Sequence, residues 1–303
     1  MKKVLLLHNP GAGNEDHMKT ELIKTIGNEG YECEYYAVKK EKIWKKQLNQ
    51  AHLLILAGGD GTVRRVVEEL LKKDELKKSP PMAILPMGTA NNLSIALGVN
   101  KDVDNKIHIK NWDNSRRQRF DIGIINNGKF TNFFLEGAGY GIFPKLIQKM
   151  DALSKKDNND SKDELLQAQE MLLEITQAAK TEKYKIIADE KIYEGHCFLL
   201  EVMNISSIGP NLILCPEAKI SDGFFNIVCL HQEQREDFIL YLKKLIAGEQ
   251  AIFESNSIKA KSMTIDCESQ YMHVDDELIS PQITSFTFEI RKKFLEFLIP
   301  QKL

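Results

Sequence analysis

Three short apolar runs, Val4–Leu7, Leu53–Ala57 and Met82–Leu85, each break off into a turn built around glycine. The turns are Asn9-Pro10-Gly11-Ala12-Gly13, Gly58-Gly59-Asp60-Gly61-Thr62 and Gly88-Thr89-Ala90-Asn91-Asn92. Apolar runs without polar alternation read as strands buried on both faces, the pattern of a parallel sheet. Tyr31–Val38 reads as another strand. Helical patterns separate these runs. Met18, Leu22, Ile23 and Ile26 lie at helical spacing within 15–29, ahead of Gly30, and 41–50 predicts a further helix. Val63, Val66, Val67, Leu70 and Leu71 recur at i, i+3, i+4, i+7 and i+8, and 91–97 predicts a short helix closed by Gly98. Repeated β-α units put helices on both faces of one sheet and all three turns at the edge where its strands end.

Glycines at such an edge let backbone N–H groups approach an anion closely, and the helix that follows adds partial positive charge. That is the physics of a polyphosphate cradle. The competing reading of any one turn is a plain β-α connector. Neither common nucleotide fingerprint fits: Asp16 stands where a G-x-G-x-x-G begun at Gly11 needs glycine, and no G-x-x-x-x-G-K-[ST] is present.

From about residue 119 the pattern changes to short strand-like segments. These are Phe120–Ile125, Phe130–Leu135, Tyr184–Ala188, Cys197–Val202, Phe224–Leu230, Met263–Asp266, Tyr271–Val274 and Thr284–Ile290. They predict an antiparallel sandwich or barrel-like second domain. Helical insertions begin near Phe143 and cover 163–179 and 235–247, with a polar, mobile loop expected over 154–161.

With 303 residues the chain has room for two cores, and 43% hydrophobic composition is ordinary for a folded protein. A net charge of −2 argues against nucleic acid as a partner. Five scattered cysteines without C-x-x-C read as reduced core thiols, which points to the cytoplasm. The apolar run at the N-terminus ends at His8-Asn9-Pro10, too soon for a signal peptide, and no segment has the length of a membrane span.

Taken in order, NPGAG, GGDGT, PMGTANNL-x-x-x-LG, SDG and a late D-x-E resemble the diacylglycerol kinase catalytic family, which includes sphingosine kinases and bacterial lipid kinases. The resemblance runs over nearly the whole chain. It implies an α/β nucleotide-binding domain with a parallel sheet over 1–118, to which 288–303 return. A β-rich antiparallel sandwich with helical insertions, the substrate domain, would cover 119–287. It further implies transfer of phosphate from ATP, with Mg2+, to a lipid hydroxyl in the cleft between the domains. Diacylglycerol or a relative is the expected lipid, reached through transient contact of a cytoplasmic protein with the membrane surface. A homodimer stays open.

Carried over position by position, the resemblance assigns the nucleotide to Asn9, Pro10, Gly11, Ala12, Gly13, Gly58, Gly59, Asp60, Gly61, Thr62, Val63 and Arg64, with Thr89 and Asn91 nearby. Asp60 would sit beside the phosphates; read locally, it also suits a turn-stabilising bond to the backbone. Glu277 is the first candidate to accept the lipid's proton, Asp275 the second. In some bacterial relatives the SDG turn holds a magnesium ion, which here would take the Asp222 carboxylate and the carbonyls of Lys219 and Phe224.

The chain departs from the family in places. Asp276 replaces the glycine of D-G-E, predicting strain on the order of 1 kcal/mol at that position. Val63-Arg64-Arg65 replaces a common x-N-E, so that Arg64 either meets phosphate or lies exposed on its helix, and Asn92 stands where many members have Asp. Arg116, Arg117 and Arg119, and Lys72, Lys73, Lys77 and Lys78, either meet anionic headgroups or are solvated. Phe133, Phe134, Leu135, Tyr140 and Ile142 flank a glycine-rich stretch and read as core or as a rest for a lipid tail. Two other readings remain: an NAD kinase-like enzyme, which shares GGDGT, and a non-catalytic nucleotide- or lipid-binding relative.

Overall fold

A computed structural model of the chain describes residues 2–10, 15–72, 79–99, 103–110, 112–154, 164–280 and 285–300. Gly11, Ala12, Gly13, Lys73, Lys77, Lys78 and the expected loop from 155 onward lie outside the described residues. The chain divides into two compact units, Met1–Phe120 with Lys293–Leu303, and Asp121–Lys292.

The first unit alternates β1 (Lys2–His8), α1 (Glu15–Asn28), β2 (Tyr31–Ala37), α2 (Trp44–Gln47), β3 (Leu53–Gly58), α3 (Asp60–Leu71), β4 (Met82–Pro86), α4 (Asn92–Leu97) and α5 (Asn105–Lys110). The strands lie in the order β2-β1-β3-β4, all parallel, with Leu6 opposite Ile55 and Leu56 opposite Ile84. Their continuous apolar runs are explained by burial on both faces: every residue from Leu53 to Gly58 is buried. Val4, Leu6, Ile55, Ala83 and Leu85 pack with Leu22 and Ile26 of α1 and with Ile109 and Trp112. The stripe Val63, Val66, Val67 and Leu70 of α3 is buried as its spacing predicts.

In the second unit, β5 (Arg116–Asn126), β6 (Thr131–Phe134), β7 (Gly137–Gly141), α6 (Ile142–Ser154), α7 (Glu164–Ala178), β8 (Glu182–Ala188), β9 (Lys191–Cys197) and β10 (Leu199–Met203) come first. The small pair β11 (Ser207–Ile208) and β12 (Leu212–Ile213), β13 (Phe225–Leu230), α8 (Arg235–Ile246), β14 (Ser257–Ala260), β15 (Ser262–Cys267), β16 (Met272–Val274), β17 (Glu277–Ile279) and β18 (Ser285–Ile299) follow. One sheet has the order β14-β13-β10-β7-β16-β17, and its described ladders are antiparallel. Facing it are β5, β6, β8, β9, β15 and the first part of β18. Phe134, Tyr140, Val202, Phe225, Ile265 and Phe288 share the core of this sandwich. Phe143, Leu172, Phe238 and Leu242, from the three helices, cover the outer face of the six-stranded sheet through Leu199, Met203 and Val228.

Phe133, Phe134, Leu135, Tyr140 and Ile142 are all buried, so the aromatic cluster is core. The five cysteines are unpaired, and burial pushes the Cys33 thiol up to about 11 and the Cys215 thiol up to about 12, which keeps them protonated. No helix among the described residues is long and apolar enough to cross a membrane.

The basic run that opens β5 has partners. Arg117 and Arg119 both bind Glu296, Arg119 at 3.0 Å, and the Glu296 side chain is 5% exposed. Arg116 donates to Gln118 at 2.8 Å, and Lys72 pairs with Glu68 at 2.7 Å. This Glu296 clamp lies in the first unit, at the end of the chain that supplies its last strand: Phe297 of β18 pairs in parallel with Met82 of β4. Removing a buried carboxylate from two cations leaves both to rehydrate at the surface, so the cost is moderate. Glu296→Ala is expected to lose about 1–2 kcal/mol in urea denaturation, and an unchanged midpoint would show the clamp to be idle.

Candidate functional site

The turns after β1, β3 and β4 fall at one edge because their strands are adjacent and parallel. Their backbones are tied together. Asn9 N–H donates to the Ala57 carbonyl at 3.0 Å, and Met87 N–H donates to the Gly58 carbonyl at 3.1 Å. Gly59 and Gly88 meet backbone to backbone: a Cβ on Gly88 would lie 2.4 Å from the Gly59 Cα, and one on Gly59 would lie 2.9 Å from the Gly88 Cα. Gly58 makes room for Thr62, whose Oγ1 would be 2.4 Å from a Cβ there. Only glycine permits this approach at these positions.

Asp60 opens α3 and fastens the second turn to the third. Its two carboxylate oxygens accept the N–H groups of Asn92 at 2.9 Å and Leu93 at 3.0 Å, the first residues of α4. An anion at a helix N-terminus is favourable there. Asn91 stands at φ 57°, left-handed, and its side chain folds back to accept from Gly88 N–H at 2.9 Å and donate to the Gly88 carbonyl at 2.5 Å. Thr62, Asn91 and Asn92 are buried, whereas Gly61 and Thr89 are exposed. Arg64 is 7% exposed, which removes the reading of a solvent-facing helix residue. Asn9 Oδ1 is buried without a hydrogen-bond partner among the described residues, an acceptor suited to a donor from a ligand.

The second candidate cluster lies in the second unit, on the hairpin β16–β17, where Val274 pairs with Glu277 across the turn Asp275-Asp276. Asp275, not Asp276, has the left-handed backbone, with φ 52°. The strain expected at Asp276 therefore does not arise there, because the glycine-like conformation falls one residue earlier. Asp275 is held in it by its own carboxylate, which accepts from Leu135 N–H at 3.0 Å, Glu136 N–H at 2.8 Å and Gly137 N–H at 3.3 Å. Its N–H donates to the Gly137 carbonyl at 2.8 Å. Three successive amide groups around one carboxylate form an anion nest. Asp275 thus anchors the turn. Glu277 is exposed and accepts from Asn132 Nδ2 at 3.2 Å.

The first of two family models that match is the diacylglycerol kinase catalytic domain, over residues 3–125, and the second is the YegS C-terminal NAD kinase beta sandwich-like domain, over residues 148–297. Residues 3–125 thus resemble the catalytic domain of diacylglycerol kinases, and residues 148–297 the sandwich-like domain that follows it in YegS. It is 27% identical to a diacylglycerol kinase of Bacillus subtilis over 82% of this chain and 80% of that one. It is 26% identical to a diacylglycerol kinase of Staphylococcus carnosus over 91% and 89% of the two chains. Among solved structures, a diacylglycerol kinase of Bacillus anthracis shares the fold with a TM-score of 0.71 at 23% identity, over 99% of this chain and 98% of that one. An NAD kinase of Archaeoglobus fulgidus in complex with ATP shares it with a TM-score of 0.56 at 12% identity, over 100% and 95%.

In the SDG turn the Asp222 carboxylate already has partners. Asp222 Oδ1 accepts from Phe224 N–H at 3.1 Å, and Oδ2 is paired with the Lys259 ammonium at 2.7 Å. The same ammonium lies 4.9 Å from the centre of the Phe224 ring. Gly223, at φ 77°, donates its N–H to the buried Asp121 at 2.8 Å. A lysine thus neutralises the one carboxylate that would hold magnesium. Among the described residues no three His, Cys, Asp or Glu side chains gather in a metal-sized group. Lys259 would have to leave the Asp222 carboxylate before Lys219, Asp222 and Phe224 could hold a divalent ion.

Two outcomes are expected. Asp60→Asn keeps the size of the side chain but leaves one acceptor oxygen for two N–H groups, so it should destabilise the protein by about 1–2 kcal/mol in thermal unfolding. Magnesium chloride should leave the melting temperature of the unaltered protein unchanged, whereas Lys259→Met, which uncovers Asp222, should acquire a magnesium-dependent rise. A rise of equal size in both proteins would show that the lysine yields to the ion.

Proposed function

We propose that this protein transfers the γ-phosphoryl group of ATP to a hydroxyl of diacylglycerol or a closely related lipid. The observation that carries this reading is the meeting of the second and third strand-end turns, backbone against backbone at Gly59 and Gly88, beside Asn9 of the first, in a chain whose residues 3–125 match the diacylglycerol kinase catalytic domain. The phosphates would take N–H groups from the start of α3 and its glycine turn, since Asp60 holds the first amides of α4. Gly58 to Arg64, with Asn9, Pro10 and Asn91, would line the nucleotide. Thr89, exposed at the rim, would meet its outer part. The matching positions Gly11 to Gly13 complete the first turn in the sequence.

In the step proposed, the lipid oxygen attacks the γ-phosphorus, the bond from phosphorus to the bridging oxygen breaks, and ADP leaves. Glu277 takes the hydroxyl proton. Asp60 supports the reaction by holding two phosphate-binding turns together, and Asp275 by fixing the turn that carries Glu277. Magnesium would enter as part of the Mg·ATP substrate. A chain that reaches its lipid from the membrane surface and otherwise stays in the cytoplasm fits this chemistry. The NAD kinase fold likeness favours a second acceptor class, the ribose hydroxyl of a dinucleotide.

Purified protein with labelled Mg·ATP and dioleoylglycerol in mixed micelles should yield labelled phosphatidic acid, and the same protein with NAD should yield none. Glu277→Gln should lower kcat by about 10²–10⁴-fold while leaving the melting temperature nearly unchanged, as befits an exposed side chain. Full lipid phosphorylation by Glu277→Gln would remove the catalytic assignment, and phosphorylation of NAD alone would move the enzyme to the other acceptor class.

A further inference from the structure

The six-stranded sheet contains a row of three residues in register on adjacent strands: Glu201 on β10, Gly139 on β7 and His273 on β16. Glu201 is 0% exposed and His273 1%. Because Gly139 has no side chain, the Glu201 carboxylate reaches across β7, and a Cβ there would sit 2.4 Å from its Oε1. Oε1 lies 2.8 Å from His273 Nε2. The other ring nitrogen, Nδ1, lies 2.9 Å from the carbonyl oxygen of Asp275. The edge of Phe143 closes over the ring, with centroids 5.6 Å apart.

A carbonyl oxygen only accepts, so His273 Nδ1 carries a hydrogen. Nε2 faces a carboxylate oxygen, and a second proton must lie on that line, on the ring or on Glu201. The pair therefore keeps one proton more than a neutral imidazole beside a carboxylate. Burial works to lower the His273 pKa, but the Glu201 charge, its hydrogen bond and the Asp275 carbonyl carry it above the ordinary imidazole value. Burial pushes Glu201 up in the same sense. Glu201 and Asp275 are the titratable groups that act on the ring. A buried ion pair is poor value as a stabiliser, since desolvation offsets most of the attraction. Its use must lie in what it holds in place.

We propose that Glu201 and His273 are positioning residues that fix the Asp275-Asp276 turn from the inside and so set the position of Glu277. The turn is gripped twice. The nest at Leu135 to Gly137 holds the Asp275 side chain, and the His273 ring holds the Asp275 main chain. Glu277 begins the next strand, so a turn that loosens moves the carboxylate directly, and a misplacement of about 1 Å can cost on the order of 10²-fold in rate. This inference rests on the reading of Glu277 as the proton acceptor.

Asparagine places its amide where Nδ1 stood, and glutamine places its amide where Nε2 stood, so the two variants separate the bonds. His273→Gln keeps the Glu201 contact and loses the Asp275 carbonyl; kcat for diacylglycerol phosphorylation is expected to fall on the order of 10²-fold with the KM for ATP unchanged. The double variant H273N with E201Q restores the bond to Asp275 without a bare buried charge, and should return kcat to within about threefold of the unaltered enzyme. Equal kcat in all three proteins, whatever their melting temperatures, would overturn the proposal. Nitrogen-15 spectroscopy of the unaltered protein gives a readout independent of activity: a protonated, hydrogen-bonded Nδ1 on His273 is expected, and a ring without that proton would also overturn it. If the unaltered enzyme is active but Glu277→Gln is too, the functional reading fails while the spectroscopic result stands.

Discussion

Two β-α turns can share one sheet edge only if their backbones are allowed to touch, and here that permission is Gly59 against Gly88. Any side chain at either position would drive β3's turn away from β4's, and the Met87 N–H bond to Gly58 would open with it. Asp60 then converts contact into attachment. It lies at the start of one helix and caps the amides of the next, so the negative charge serves two helix N-termini at once. The position of every other group at this edge, from the left-handed Asn91 to the buried Thr62, is set by that arrangement.

The second unit uses the same device for a different end. Gly139 is not at a turn but in the middle of β7, between two hydrogen-bonded neighbours, and its missing side chain is filled by a carboxylate from β10. In an otherwise apolar layer this creates a buried polar row that ends on the hairpin β16–β17. The apolar packing supplies cohesion, whereas the polar row supplies register.

Much of this was legible in the residues themselves. β1, β3 and β4 announced themselves because strands buried on both faces cannot alternate, and α3 because one stripe of it is buried. β7 was hidden: Gly137 to Gly141 reads as a loop, and only its neighbours explain why a strand there should be glycine-rich. β9 was hidden too, since this edge strand leaves Ile192 60% exposed and lacks a clear alternation. At the site, the glycine turns were readable as a set, but the partners of single side chains were not. Asp60 bonds to an amide 32 positions later, and Asp222 to a lysine 37 positions away. No local spacing encodes such pairs. The family pattern picked out Asp275 and Asp276, yet which of them bears the left-handed backbone depends on the nest at Leu135 to Gly137.

β18 ends the chain and also completes the first unit, pairing Phe297 with Met82, while Ser79 donates to the Phe294 carbonyl 215 positions away. A ribosome therefore releases β1 to β4 long before their last strand exists. Until β18 is made, β4 presents an open flank, and the nascent first unit depends on the whole of the second being made, and kept from aggregating, before it can close. Loss of the segment around Phe297 would accordingly damage the unit that contains β1 to β4.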